Sequence, residues 1–326
     1  MKYLVTGGTG FIGSALVRRL VEEGHQVRVL DNDLRGAERR LRDMAGKIES
    51  VKADIRDADK VQKAVEGVDS VFHLAYVNGT EFFYSKPDLV LDIAVKGMAN
   101  IIDACRDTGV KELFLASSSE VYQTPEKIPT DESAPLIVPD PLNPRYSYGG
   151  GKIICELMAL NFGRKYFDRV VIFRPHNVYG PDMGYEHVIP QFTLRLKELA
   201  DNSTGGIDFP IQGTGQETRA FVYISDFIDG LVCLLHKGEH LNIYHIGTME
   251  EITIESLARE IARSFSRDIR LVPGELRAGG TMRRCPDIRK IKGLGYQPKV
   301  SLSAGVRKTA DWYIQNAKTY ISEKLK

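Results

Sequence analysis

The chain has 326 residues, more than a single-core domain usually holds and enough for one large α/β domain with a smaller lobe. Hydrophobic residues make up 43%, charged residues 27% and the formal net charge is +1, so neither a nucleic-acid footprint nor an acidic tail is present. No apolar run is long enough to span a bilayer, and Cys105, Cys155, Cys233 and Cys285 lie far apart without a CxxC pair, which predicts reduced thiols in the cytoplasm rather than a disulfide framework or a metal site.

The first 55 residues alternate strand and helix. Residues 2–6 read as a buried strand, which leaves no room for a signal peptide. Thr6-Gly7-Gly8-Thr9-Gly10-Phe11-Ile12-Gly13 follows. Residues 14–23 then have helical spacing, with Leu16, Val17, Leu20 and Val21 apolar, and Gly24 ends the helix. Residues 27–30 form a second strand, closed by Asp31 and Asn32. The glycines suit a tight turn, a close backbone approach to a pyrophosphate and close helix–strand packing. A helix N-terminus adds free N–H groups and a positive dipole end. Asp31 stands 18 residues after Gly13, where a carboxylate accepts from ribose hydroxyls and repels a 2′-phosphate, so NAD is expected rather than NADP. A glycine turn without a ligand would need neither these flanks nor the acid.

The spacing Gly7-x2-Gly10-x2-Gly13 resembles the extended branch of the short-chain dehydrogenase/reductase superfamily, in particular its NAD-dependent nucleotide-sugar epimerases and dehydratases, such as UDP-glucose 4-epimerase. The resemblance implies NAD held by Gly7, Gly10, Phe11, Ile12, Gly13, Asp31 and Asn32. Further along, it implies adenine contacts at Asp54 and Ile55 after the strand 48–53, and a cofactor lining at Leu74 and Ala75 after the strand 70–74.

Alternation continues through a helix at 88–107, a strand at 112–117, a helix at 144–166 and a strand at 170–174. This is the pattern of a Rossmann-type doubly wound parallel sheet. After Pro175, turns at Gly180-Pro181, Gly205-Gly206 and Gly213-Thr214-Gly215 separate short elements. Residues 1–175 are therefore read as the NAD-binding domain, with 220–247 returning to it. Residues 176–219 and 248–326 are read as a smaller α/β substrate lobe that closes with a helix at 301–325. Asp226 is expected to cap a helix over 227–235.

Tyr148-Gly149-Gly150-Gly151-Lys152 lies in the predicted helix 144–166. A tyrosine and a lysine four apart share one helix face, where the ammonium can lower the phenol pKa from about 10. Three helical glycines cost roughly 2–3 kcal/mol relative to alanine. Their expected compensation is a close backbone approach to a bound sugar or a facing loop, which would enlarge the pocket for a substrate that must turn.

Upstream, Ser117-Ser118-Ser119-Glu120-Val121-Tyr122 ends a strand, and ligands of such sheets bind outside the carboxyl ends of strands. By resemblance Ser118 is the catalytic serine, four residues before the tyrosine of Val121-Tyr122. The resemblance implies that Tyr148 takes the proton of a sugar hydroxyl, Ser118 bonds the same oxygen and relays the proton, and Lys152 holds the nicotinamide ribose and depresses the tyrosine pKa. It also puts Pro175 and His176 beside the nicotinamide, His176 being open to a purely structural role, and Asn177 and Arg219 by the substrate diphosphate. Arg277 and Arg284 stand where a second diphosphate arginine or a carboxylate partner would be.

Ser119 and Glu120 divide the possible reactions. Sugar 4,6-dehydratases carry Thr-Asp-Glu at this triplet, and serine is a poor acid, so dehydration is disfavoured. UDP-glucuronate decarboxylases carry Thr-Ser-Glu and an Arg-x-Pro-Asp-Ile segment, which Arg284-Cys285-Pro286-Asp287-Ile288 resembles. A 4-epimerase needs only the hydride shuttle and room for the keto sugar to turn. Epimerisation of a nucleotide-diphosphate sugar at C4 is the expectation, with decarboxylation and dehydration as alternatives. A sensor that only binds NAD would have lost Tyr148. Ala94, Gln123 and Gly280 depart from asparagine, glycine and aspartate in many relatives. The resemblance also implies a homodimer through the helices 88–107 and 144–166, unless their apolar faces are buried within one chain.

Overall fold

The computed structural model describes residues 1–202, 205–275 and 281–324. In chain order the elements are β1 (Lys2–Thr6), α1 (Phe11–Glu22), β2 (Gln26–Asp31), β3 (Glu49–Lys52), α2 (Ala58–Val65), β4 (Ser70–His73), α3 (Thr80–Ser85), α4 (Pro87–Thr108), β5 (Glu112–Ala116), α5 (Ser147–Tyr166) and β6 (Arg169–Pro175). There follow β7 (Val178–Tyr179), α6 (Val188–Asp201), β8 (Ile207–Pro210), β9 (Thr218–Ala220), β10 (Val222–Tyr223), α7 (Ile224–Lys237) and β11 (Asn242–Ile246). The chain finishes with β12 (Glu251–Thr253), α8 (Ile254–Arg263), β13 (Ile269–Val272), β14 (Arg283–Arg284), α9 (Arg289–Gly293) and α10 (Leu302–Lys324).

Seven parallel strands form the central sheet in the order β11-β6-β5-β4-β1-β2-β3. Strands such as Arg169–Pro175 read as near-continuous apolar runs because both faces of the sheet are covered. On one face α2, α4 and α5 pack Val61, Ile93, Ile101 and Ala159 against Leu4, Val71, Leu113 and Ile172. On the other, α1, α7 and α9 pack Leu16, Leu20, Phe227, Leu231 and Ile291 against Tyr3, Phe72, Phe114 and Phe173. The order reverses at β1, with β2 on one side and β4 on the other, which opens a crevice above the carboxyl ends of these strands.

A third core, with Ile189, Phe192, Phe209, Leu257, Ile261 and Tyr313, lies among α6, α8, α10, β8 and β13 and forms the smaller lobe. β11 joins the main sheet beside β6, and α7 packs on α1. Ile288, Ile291 and Tyr296, in the stretch assigned by sequence to the lobe, also pack beneath the main sheet. Asp226 does not cap its helix. Tyr223 is the N-cap residue, and Asp226 in the first turn accepts the backbone N–H groups of Lys299 (2.9 Å) and Val300 (2.8 Å), tying the segment before α10 to α7. Among the described residues no helix is long and apolar enough to cross a membrane, and no cluster of metal-ligating side chains occurs. All four cysteines are free thiols.

Candidate active site

A cleft of about 650 Å³ opens over the carboxyl ends of β1, β4 and β5. Its floor is the glycine turn. Gly7 has φ 72°, and a Cβ there would come within 2.7 Å of the Ala75 nitrogen, so the turn and the end of β4 touch backbone to backbone. Ala75 and Leu74 donate their N–H groups to the Thr6 hydroxyl, each at 3.2 Å. α1 begins at Phe11, earlier than the sequence pattern predicts, with glycine at its N-cap and no acidic residue in its first turn. Among the described residues no side chain caps those first N–H groups, which suits the oxygens of a pyrophosphate. Gly7, Gly10, Phe11, Ile12, Gly13, Asp31, Asn32, Asp54, Ile55, Leu74, Ala75, Tyr148, Lys152 and Pro175 all line the cleft, a set that fits NAD.

Asp31 already accepts the N–H groups of Thr9 (3.0 Å) and Asp33 (2.9 Å), and so shapes the turn as well as facing the cleft. Asn32 donates to Asp54 at 3.0 Å. Asp54 is held down to about 2, chiefly by its hydrogen bonds with the Arg56 guanidinium. At this end the two lips of the cleft are joined by charge. Arg35 forms a bidentate pair with Glu186 at 2.8 and 3.0 Å. Arg39 and Arg40 meet Asp182, with contacts of 2.5 and 3.1 Å.

At the other end β5 runs into a short turn whose N-cap is Ser118. The Ser118 hydroxyl accepts the Glu120 N–H at 3.1 Å. Near it lies the Tyr148 phenol, which α5 brings in and whose pKa the neighbouring Ser118 hydroxyl lowers. Phe83 stacks on the Tyr148 ring with centroids 4.7 Å apart. Lys152 is buried on the same helix face and donates to the Ala116 carbonyl at 2.7 Å. The expected depression of the phenol is not found. Burial pushes Tyr148 up to about 12, against the lowering effect of the nearby Ser118 hydroxyl, and burial brings Lys152 down to about 8. The physical reason is that the Lys152 ammonium faces Ala116 and the Tyr76 ring, so desolvation dominates both groups.

Glu120 pairs with Arg284 at 2.5 Å, with Arg145 3.9 Å away. Burial raises the Glu120 carboxyl, but the Arg284 charge and hydrogen bond bring it net below the usual carboxylate range. Arg284 and Arg219 are register partners on the paired strands β14 and β9. Arg219 donates to the Thr218 carbonyl at 2.7 Å, and burial with the neighbouring Arg284 lowers it to about 10. Ser118, Ser119, Glu120, Asn177 and Arg284 line the cleft; Arg219 does not. His176 does not line it. Its ring is buried edge-on against His245 at 4.6 Å, neither nitrogen has a partner among the described residues, and burial pushes its pKa well down, so it is a packed neutral histidine. Arg277 and Gly280 lie outside the described residues.

Among the cleft residues that sequence reasoning missed are Arg145 and Tyr76, next to Glu120 and Lys152 respectively. Tyr76 follows the end of β4 in a stretch without periodicity and Arg145 stands just before α5, so only the folded chain brings them to the site. The glycines also have a different task from the one expected. A Cβ on Gly149 would come within 2.7 Å of the Gln123 amide nitrogen and 3.0 Å of the Glu120 carbonyl, and one on Gly151 within 2.2 Å of the Tyr76 hydroxyl. Gly150 would meet Val138 at an ordinary 3.5 Å. The close approach to a facing loop is present, whereas none of the three lines the cleft or enlarges it.

The sequence profile of the NAD dependent epimerase/dehydratase family matches residues 3–247. A trifunctional UDP-glucose 4,6-dehydratase/UDP-4-keto-6-deoxy-D-glucose 3,5-epimerase/UDP-4-keto-L-rhamnose-reductase of Arabidopsis thaliana is 31% identical over 96% of the chain, which spans only 47% of that protein. UDP-N-acetyl-alpha-D-glucosaminuronate decarboxylase of Bacillus cytotoxicus is 30% identical, covering 95% of this chain and 97% of that one. The UDP-glucose 4-epimerase of Thermus thermophilus, solved in complex with NAD, superposes with a TM-score of 0.83 at 28% identity, over 97% of this chain and 100% of that one.

Proposed function

Because the chain belongs to the NAD dependent epimerase/dehydratase family, we propose that it oxidises a nucleotide-diphosphate sugar at C4, releases the C5 carboxylate of the keto sugar as carbon dioxide, protonates C5 and reduces C4 again with the same hydride. The observation that carries this reading is the Glu120–Arg284 pair, 2.5 Å apart in the cleft that also holds Ser118 and Tyr148. Epimerisation has no use for a glutamate held ionised by an arginine. Dehydration needs an acid at the leaving hydroxyl, and residue 119 is serine while the Glu120 carboxyl stays below its usual range. A β-keto acid, by contrast, loses carbon dioxide once its carboxylate is oriented and its ketone can accept the electron pair.

NAD, when bound, supplies a reversible hydride acceptor at C4 and, in its oxidised form, a positive charge that favours the Tyr148 phenolate. Tyr148 would take the C4 hydroxyl proton and, with Ser118 beside it in the cleft, stabilise the oxygen that carries the enolate charge after the carbon–carbon bond breaks. Arg284 would exchange Glu120 for the sugar carboxylate, as a guanidinium fork suits a planar anion. When that anion leaves as neutral carbon dioxide, Glu120 returns to Arg284, so the cation is not left unpaired.

Incubation with UDP-, GDP-, CDP- and dTDP-sugars, including uronic acids and followed by NMR, tests the reading. The expected result is release of carbon dioxide from a nucleotide uronic acid. Arg284→Gln is expected to slow it about 30-fold or more, as truncating one partner of a buried charged pair does. A C4 epimer without carbon dioxide would replace this reading with 4-epimerisation. That second reading is favoured by the uncharged Ser119 and by the likeness to the Thermus thermophilus epimerase.

The proposed assembly is a homodimer through α4 and α5. These helices pack on each other, and their outer sides expose Leu91, Val95, Ile154 and Leu157, the last at 54%. Light scattering is expected to give twice the chain mass, and Leu91→Glu with Leu157→Glu to give a single chain; a wild-type protein of single-chain mass would contradict the assembly.

A further inference from the structure

Lys152 is a buried ammonium with a single described hydrogen bond, to the Ala116 carbonyl at 2.7 Å. An ammonium carries three N–H donors, and the carbonyl takes one of them. The protein also gives it an aromatic face. The Tyr76 ring lies under the ammonium, with Nζ 3.9 Å from the ring centroid. The same ring meets the Tyr148 ring edge-on at 5.1 Å and 85°, and its hydroxyl donates to the Tyr148 carbonyl at 3.4 Å. One side chain thus touches both members of the pair.

The chain makes room for it. A Cβ on Gly151 would come within 2.2 Å of the Tyr76 hydroxyl and 3.0 Å of the Ala94 methyl. A larger residue at 151 would therefore collide with the Tyr76 hydroxyl, and the small Ala94 packs against the same spot. This explains a helix glycine between two catalytic positions better than flexibility does, because the space it leaves is filled by protein.

We infer that Tyr76 is a positioning residue whose ring face keeps the Lys152 ammonium charged and aimed beside Tyr148, in the space left by Gly151 and Ala94. The inference rests on the reading of Tyr148 and Lys152 as the acid/base pair. The titratable groups around Lys152 are His73 from β4, Tyr76 itself, and Tyr148, Cys155 and Glu156 from α5. His73 is kept neutral by burial, Tyr76 and Cys155 are pushed up by burial, and Glu156 is paired with Arg174. A ring face favours the charged amine, so removing it lowers the lysine pKa and brings deprotonation into the working range.

The test is NMR titration of the Lys152 side chain in NAD-loaded protein carrying isotope-labelled lysine, assigned with Lys152→Arg. Tyr76→Leu is expected to move the Lys152 midpoint down by about one pH unit, the size of a desolvated cation–π contact. Tyr76→Phe keeps the ring and is expected to hold the midpoint within about 0.3 unit. If Tyr76→Leu does not fold, Gly151→Ala, which displaces the tyrosine, is expected to show the same downward shift. An unchanged midpoint in whichever of these two variants folds overturns the inference. Turnover by Tyr148→Phe is measured separately: persistent turnover overturns the acid/base reading, whereas an unshifted lysine with lost Tyr148→Phe turnover overturns only the role of Tyr76.

Discussion

Tyr148→Phe is expected to lower kcat by about 10²–10⁴-fold while NAD remains bound, which is the range a positioned proton-transfer group contributes. The substitution removes one oxygen. It leaves the Phe83 stack, the Tyr76 edge contact and the Lys152 bond to Ala116 in place, since none of them uses the phenol hydroxyl. Fold and cofactor content therefore survive, and the loss reports on chemistry alone. The phenol, pushed up to about 12 by burial, is protonated at neutral pH in the bare site. Activity should accordingly rise with pH until Lys152, brought down to about 8, loses its charge. Single-turnover kinetics with the true substrate measure this. A kcat within threefold of the parent would remove Tyr148 from the mechanism.

Glu156→Ala is expected to cost about 3–5 kcal/mol of folding stability and to lower the melting temperature by on the order of 5–10 °C. Glu156 on α5 and Arg174 on β6 form a bidentate pair at 2.8 and 2.5 Å, with side chains 2% and 1% exposed. Ser117 donates to the same carboxylate, and the Tyr122 hydroxyl meets Arg174 on its other side. Removing the carboxylate leaves a guanidinium buried without its counter-charge. Replacing both partners by leucine and methionine is expected to recover most of the loss, since a buried ion pair often exchanges for apolar packing at little cost. Denaturant and thermal melts of the single and double variants decide it. Equal losses in both would mean that the pair's shape, not its charge, matters.

The cofactor half of the cleft was legible in the sequence because its determinants are local. The glycine turn, α1 and Asp31 occupy one βαβ unit, and backbone geometry alone fixes where a phosphate meets N–H groups. Ser118 was legible through the family resemblance, four residues before Tyr122, and Tyr148 and Lys152 through their four-residue spacing on one helix face. The electrostatics were not. Whether Lys152 lowers Tyr148 depends on where its amine turns, and that was decided by Ala116 on β5 and Tyr76 after β4, both remote in sequence. His176 was drawn from the cleft by His245 on β11, a strand that joins the sheet far along the chain. The glycine run signalled a close contact correctly, but its partners, Gln123 and Tyr76, lie on segments with no pattern of their own.

The arginine–carboxylate contacts across the cleft bear on what kind of molecule NAD is to this protein. Arg35 with Glu186, and Arg39 and Arg40 with Asp182, fasten residues 35–40 to residues 182–186 over the Asp31 end. A reaction that begins by oxidising a sugar and ends by reducing it consumes no oxidant, so exchange of the cofactor between cycles serves nothing. A fastened rim slows escape more than it slows chemistry at the far end of the cleft. On the proposed reaction, NAD is expected to accompany the protein through purification as a prosthetic group and to leave faster as rising salt screens the rim.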